Sequence, residues 1–130
     1  MEIGQKLELE YDVLASDSAK ALSISEEDDF PMVFATSRMI ALMELAAARL
    51  MKPLLSDGEL SVGVNVNVNH IAATPTGTQV KAVAEYAGLK GKLHTFKVYL
   101  YDKGGLAGDG EHTRAIVNTD RLLEGARSRV

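Results

Sequence analysis

Thr36-Ser-Arg-Met-Ile-Ala-Leu-Met-Glu-Leu-Ala-Ala-Ala-Arg-Leu-Met51 reads as one helix, rich in Ala, Leu and Met and closed by Pro53 and Gly58. Apolar residues occupy almost its whole circumference, unlike the single stripe of a surface helix. It is therefore expected to be a central helix, wrapped by the rest of the fold or by a partner subunit. Thr36 or Ser37 is its natural N-cap, because a side-chain oxygen there can accept from the unpaired N–H groups of the first turn.

Outward from this helix the pattern changes to a period of two. Lys6 to Val13 alternates Leu7, Leu9, Tyr11 and Val13 with Glu8, Glu10 and Asp12, the signature of a half-buried strand. Ser61 to Ile71 is the clearest strand, with Val62, Val64, Val66, Val68 and His70 alternating with small and polar residues. Thr76 to Tyr86, Lys92 to Tyr101 and Leu106 to Asn118 follow, separated by turns at Gly88–Gly91 and Asp102–Gly105. Ala15 to Pro31 is polar and acidic, a surface loop with at most a short helical turn. Asp120 to Arg127 reads as a short peripheral helix capped by Thr119. The order predicts an α+β domain: an antiparallel five-stranded sheet around one long helix, spanning residues 1–130. One sheet on one such helix leaves apolar surface open, so a homodimer is the natural completion.

Composition narrows the function classes. The chain has 130 residues, no cysteine and a net charge of −4, so a disulfide framework, thiolate metal site or cysteine nucleophile is impossible. The acidic balance, with four Tyr, three Phe and no Trp, argues against nucleic acid as a partner. The apolar run Met39–Met51 is interrupted by Glu44 and Arg49 and falls short of the ~20 residues a bilayer span needs, so no membrane partner is expected. The N-terminus has no apolar h-region, which makes the cytoplasm the default location.

Several polar residues interrupt these patterns. Glu44 breaks the apolar helix; it either reaches an edge and pairs with Arg or Lys, or is an active-site carboxylate made more basic by apolar surroundings. His70 ends the valine face and is expected to point at the helix, as a hydrogen-bonded core or rim residue or as a proton carrier. Thr36 is either a cap or a hydroxyl beside N–H groups that can hold an oxyanion. Arg114 shares a face with Gly108, Gly110, His112 and Ile116, where a cation sits beside residues that leave space. Asn65, Asn67 and Asn69 are expected to face away from the helix unless a bulge reverses them. His94 and His112 lack ligand spacing with His70, so no metal is expected. Lys90 and Lys92 are turn lysines within the range of functions that includes phosphate contacts.

The segments Phe30-Pro31, Val33-Phe34-Ala35-Thr36, Met39, Leu42-Met43-Glu44, Gly63, His70, Ala72-Ala73-Thr74-Pro75 and Gly110-x-His112-x-Arg114-Ala115 resemble hotdog-fold acyl-CoA thioesterases of the fluoroacetyl-CoA thioesterase family. The resemblance implies a catalytic set of Thr36, Glu44 and His70. It implies that the glutamate, or a water it activates, attacks the thioester carbonyl, while the threonine positions it and the histidine manages protons. It further implies that Gly63 serves the acyl site across a dimer interface, that Arg114 lies near the acyl group and that Phe30 belongs to a lid. No cofactor is implied beyond the coenzyme A carried by the substrate. The family's second lid phenylalanine is replaced here by Glu27, which cannot supply the same dry cover. The resemblance therefore carries the reaction class, a small or short-chain acyl-CoA hydrolysed to acid and CoA, and not the substrate. A hotdog enoyl-CoA hydratase and a non-catalytic acyl-binding module are the competing readings. Thr36 and Glu44 are eight residues apart, about 12 Å along a helix, so substrate, water or a partner subunit has to lie between them.

Overall fold

A computed structural model describes all residues, 1–130. Five strands, β1 (Lys6–Asp12), β2 (Glu59–His70), β3 (Gln79–Lys90), β4 (Leu93–Asp102) and β5 (Gly105–Asn118), form one antiparallel sheet in the order β1-β3-β4-β5-β2. Helix α1 (Thr36–Met51) lies on one face of it, and α2 (Thr119–Arg127) ends the chain. This is the antiparallel sheet and single long helix anticipated from the element order, and the hotdog fold that the resemblance implies. The strands of the β3–β4 hairpin run further than expected, so that the turn falls at Gly91–Lys92 rather than Gly88–Gly91. Asn118, not Thr119, caps α2, its side chain accepting from the Arg121 N–H at 2.9 Å.

Met39, Leu42, Met43, Ala46, Ala47, Leu50 and Met51 form the buried face of α1, the i, i+3, i+4, i+7 set of an amphipathic helix. They pack with Phe34, Phe96, Val98 and Leu100 into a core of 17 buried residues. The opposite face is open: Leu45 and Arg49 are exposed. Within one chain α1 is covered on one side only, so of the two covers expected for it, the fold itself supplies one face.

Two features fix how α1 meets the sheet. Glycine stands where the helix comes closest: a Cβ on Gly63 would collide with the Glu44 carboxylate, and one on Gly108 would collide with Met39 Sδ and lie 3.1 Å from the Asn69 carbonyl. Second, Val64 is an extra residue in β2, between the pairs Gly63↔Arg114 and Asn65↔Thr113. Directly opposed residues share a face, so this bulge inverts the alternation. Ser61 and Gly63 face α1 before it; Val66, Val68 and His70 face α1 after it, opposite His112, Gly110 and Gly108. The single valine face read from Val62 to His70 is thus split, while Asn67 and Asn69 point away from the helix as anticipated.

The loop before α1 contains two short 3-10 turns, Ala15–Asp17 and Lys20–Leu22. It is held by Asp17, buried at 1% exposure, whose carboxylate accepts from the Tyr11 hydroxyl, the Leu14 N–H and Arg38 Nε at 2.7, 2.8 and 2.9 Å. Burial pushes that carboxyl up, but these three donors together hold it below its ordinary range. The Asp17 carbonyl accepts from Ala35 N–H and the Thr74 carbonyl from Phe34 N–H, so the loop delivers the start of α1 to the end of β2.

Because α1 is anchored through one face, Met43→Ala is expected to cost about 2–5 kcal/mol in denaturant unfolding, the range for emptying a fully buried site. A loss below about 1 kcal/mol would contradict this packing.

Candidate active site

The first cluster stands at the N-terminal end of α1. Ala35 is the N-cap and makes no side-chain cap bond, so the expected cap by Thr36 or Ser37 does not form. Thr36 is instead the first helical residue, and its Oγ1 lies 2.8 Å from Nδ1 of His70. The Thr36 and Ser37 N–H groups have no acceptor within the chain. Uncapped N–H groups, the positive end of the helix dipole and a hydroxyl thus converge, an arrangement suited to an oxygen that gains negative charge. An open apolar pocket of about 260 Å³ surrounds the pair, lined by Ala19, Val33, Phe34, Ile71 and Ala73 among others. Nε2 of His70 is buried without a partner. Burial pushes the His70 pKa below the ordinary histidine value, opposed by the backbone at Ala72, so the neutral imidazole is favoured.

The second cluster lies two helical turns further on. Glu44 Oε1 accepts from Nη1 of Arg114 at 3.2 Å, and its side chain is 39% exposed. Glu44 thus pairs with an arginine at an edge of the helix, as one of its two sequence readings expects, and the paired carboxylate stays accessible. Arg114 is only 7% exposed and is clamped to β2: Nε donates to Ser61 Oγ and Nη2 to the Ser61 carbonyl, both at 3.0 Å. Nη1 also lies 3.2 Å from Nε2 of His112, whose Nδ1 is 2.8 Å from the Asn65 carbonyl. The carboxylate faces a small open groove of about 180 Å³ lined by Ile40, Gly63, Val64, Asn65, Val66 and His112. Gly63 is what lets Glu44 approach β2 this closely.

β2 runs back along α1, which sets Gly63 beside Glu44 and His70 beside Thr36. The chain brings Thr36 to His70 and Glu44 to Gly63 and Arg114, and keeps the two groups apart along the helix. Phe30 is exposed in the loop and lines neither cavity, and Glu27 is exposed in the same loop. Lys90 lines a cleft of about 680 Å³ with Lys97 and Thr113 that shares Val64, Asn65 and His112 with the Glu44 groove, and Lys92 is exposed in the turn. Sequence reasoning missed Ser61, because the bulge that turns it inward leaves the written alternation intact. It passed over His112 because no metal-ligand spacing involves it; the Gly110-x-His112-x-Arg114 alternation alone put it on the Arg114 face.

Known proteins resemble this chain over most of its length. The profile of the family described as fluoroacetyl-CoA-specific thioesterase matches residues 15–120. The chain is 34% identical to the fluoroacetyl-CoA thioesterase of Streptantibioticus cattleyicolor over 124 residues, 94% of this chain and 89% of that protein. A solved structure of the fluoroacetyl-CoA thioesterase FlK superposes with a TM-score of 0.95 at 33% identity, over 100% of this chain and 98% of that one. Variants of that enzyme have been crystallised with acetyl-CoA and with fluoroacetate and CoA. A thioesterase superfamily member from Thermus thermophilus superposes with a TM-score of 0.87 at 26% identity, covering 98% of this chain and 91% of that one. With the family profile spanning most of its length and a 34% identical relative, the chain belongs to the fluoroacetyl-CoA-specific thioesterase family.

Proposed function

We propose that this protein hydrolyses a small acyl-CoA thioester to the free acid and CoA, with Thr36, Glu44 and His70 as its catalytic set. The observation that carries the reading is the 2.8 Å Thr36–His70 contact at an uncapped helix start, on the same helix as a carboxylate that opens onto a groove. In this scheme the thioester carbonyl oxygen lies against the Thr36 hydroxyl and the free N–H groups, which stabilise the oxyanion of the tetrahedral intermediate. Glu44 delivers the attacking electron pair, either by taking a proton from the water that attacks or by attacking directly, in which case water afterwards cleaves the acyl–glutamyl anhydride and restores the carboxylate. The C–S bond then breaks and the departing thiolate receives a proton, so that one water is consumed for each acid and thiol formed. A largely neutral His70 is suited to accepting and returning that proton. Arg114 and Gly63 hold and admit Glu44 beside the acyl group. Phe30, on the loop ahead of α1, is assigned to the lid. The alanine-rich pocket of about 260 Å³ suits a short acyl chain.

The working unit is a homodimer. Of the two sheet edges, β1 is short and carries Lys6, Glu8, Glu10 and Asp12, charges that discourage pairing with another strand. β2 is 12 residues long, has no charged side chain between Leu60 and Asn69, and exposes Leu60, Val64 and Val66. Such an edge is a template for its own copy. Antiparallel pairing of two β2 edges sets the Glu44 cluster of one protomer near the Thr36–His70 cluster of the other, which supplies the missing proximity.

Two measurements check these statements. Incubated with an acyl-CoA panel and a thiol reagent, the protein is expected to release CoA. Glu44→Gln, Thr36→Ala and His70→Ala are each expected to lower kcat by about 10²-fold or more. Release of no thiol from any thioester, or unchanged turnover in Glu44→Gln or His70→Ala, would contradict the scheme. Loss of an enoyl-CoA without thiol release would favour hydration instead. In light scattering the protein is expected to have the mass of two 14.0 kDa chains and Val64→Lys that of one; a monomeric parent would contradict the dimer.

A further inference from the structure

His112 is almost fully buried, at 1% exposure, and its hydrogen bonds determine its protonation state. Its Nδ1 lies 2.8 Å from the Asn65 carbonyl, which can only accept, so Nδ1 carries the hydrogen. Its Nε2 lies 3.2 Å from Nη1 of Arg114, which can only donate, so Nε2 carries none. The ring is therefore neutral and in a single tautomer. Nη1 has two hydrogens: one goes to His112 and the other to Glu44 Oε1 at 3.2 Å. The direct His112–Glu44 separation is 3.9 Å, too long for a hydrogen bond.

We propose that His112 is a positioning residue for thioester hydrolysis: its bare Nε2 orients the Arg114 guanidinium, and the guanidinium holds Glu44 toward the groove. This rests on the reading of Glu44 as the group that attacks or activates water. The chain of contacts begins at the β2 bulge, since the Asn65 carbonyl follows directly on Val64. It passes through His112 and Arg114 on β5 and ends on α1. Ser61 completes the clamp by taking Nε and Nη2, leaving Nη1 to divide its hydrogens between His112 and Glu44. Glutamate here gains orientation from two strands rather than from its own helix.

The charged and titratable groups facing His112 are Glu44 from α1 and Arg114 from β5. From β4 come Phe96, with ring centroids 6.4 Å apart, and His94, which stands opposite Arg114 and contacts the Tyr86 hydroxyl of β3 at 2.9 Å. Burial is the largest influence on the His112 pKa and lowers it; Arg114 lowers it further, while the Asn65 carbonyl and Glu44 oppose. A proton added at Nε2 would displace the Arg114 donor and set two cations side by side. The relay is thus intact at neutral pH and is lost only below the ordinary histidine value of about 6.5.

The test combines kinetics with a measurement independent of turnover. His112→Phe keeps a ring of similar size without either hydrogen bond and is expected to lower kcat about 10–100-fold, with KM changed less than about threefold. His112→Gln, whose amide oxygen can replace the Nε2 acceptor, is expected to recover most of that loss. Equal loss in both variants, or kcat within about twofold of the parent in His112→Phe, would overturn the proposal. In the unmodified protein, ¹⁵N NMR is expected to show His112 neutral at pH 7.5, with hydrogen on Nδ1 and none on Nε2. An imidazolium or the opposite tautomer at pH 7.5 would overturn it whether or not the variants fold. Should the parent release no thiol from any acyl-CoA, the functional reading fails by itself, and the NMR result still decides the His112–Arg114 contact.

Discussion

Glu44 lies against β2 only because residue 63 has no Cβ. A carboxylate on the sheet side of an amphipathic helix would ordinarily be forced into the core unpaired, at a cost of several kcal/mol, or displace the helix from the sheet. Here the bulge at Val64 brings Ser61 and Gly63 inward together: the glycine makes room and the serine fixes the guanidinium that neutralises the carboxylate. Gly108 does for the start of α1 what Gly63 does for its middle, letting Met39 settle on β5 so that Thr36 reaches His70. The packing of the core and the placement of the polar groups are thus one problem, solved at two glycines.

The two clusters differ in electrostatic character. At the helix start, N–H groups without acceptors and a largely neutral imidazole create a site that welcomes developing negative charge. Around Glu44, a buried arginine and a neutral histidine hold an anion in a fixed direction while leaving it open to a groove. An acyl transfer site needs both, an electrophile-stabilising half and an electron-donating half. Within one chain they are separated along α1; in the proposed homodimer, pairing of the bare β2 edges brings complementary halves together.

Much of this was legible in the sequence. Alternation in Lys6–Val13 and Phe96–Leu100 and the Ala/Leu/Met run of Thr36–Met51 gave the elements and their order, since each reflects a face buried against a neighbour. The odd placement of Glu44 and the position of His70 at the end of a strand marked both clusters. The bulge was not legible: Ser61-Val-Gly-Val-Asn65 alternates without interruption, so nothing local says that the inward face changes there. For that reason Ser61 escaped notice and the valines were assigned to one face. Thr36 could have capped its own helix; the outcome was decided by His70, 34 residues away, through a tertiary contact that local propensity does not encode. The helix circumference does not say which side the sheet takes: within the chain one face is buried, while Leu45 and Arg49 stay exposed.

The central claim, that each site takes Glu44 from one protomer and Thr36 with His70 from the other, is tested most directly by subunit complementation. Glu44→Gln and His70→Ala homodimers, each inactive, would be mixed, allowed to exchange and assayed for CoA release. A mixed dimer then holds one site with both native residues and one with neither, so about a quarter of the parent activity is expected from a random equal mixture. If exchange is verified by mass and the mixture remains as inactive as its components, the catalytic groups act within one chain and the account is wrong.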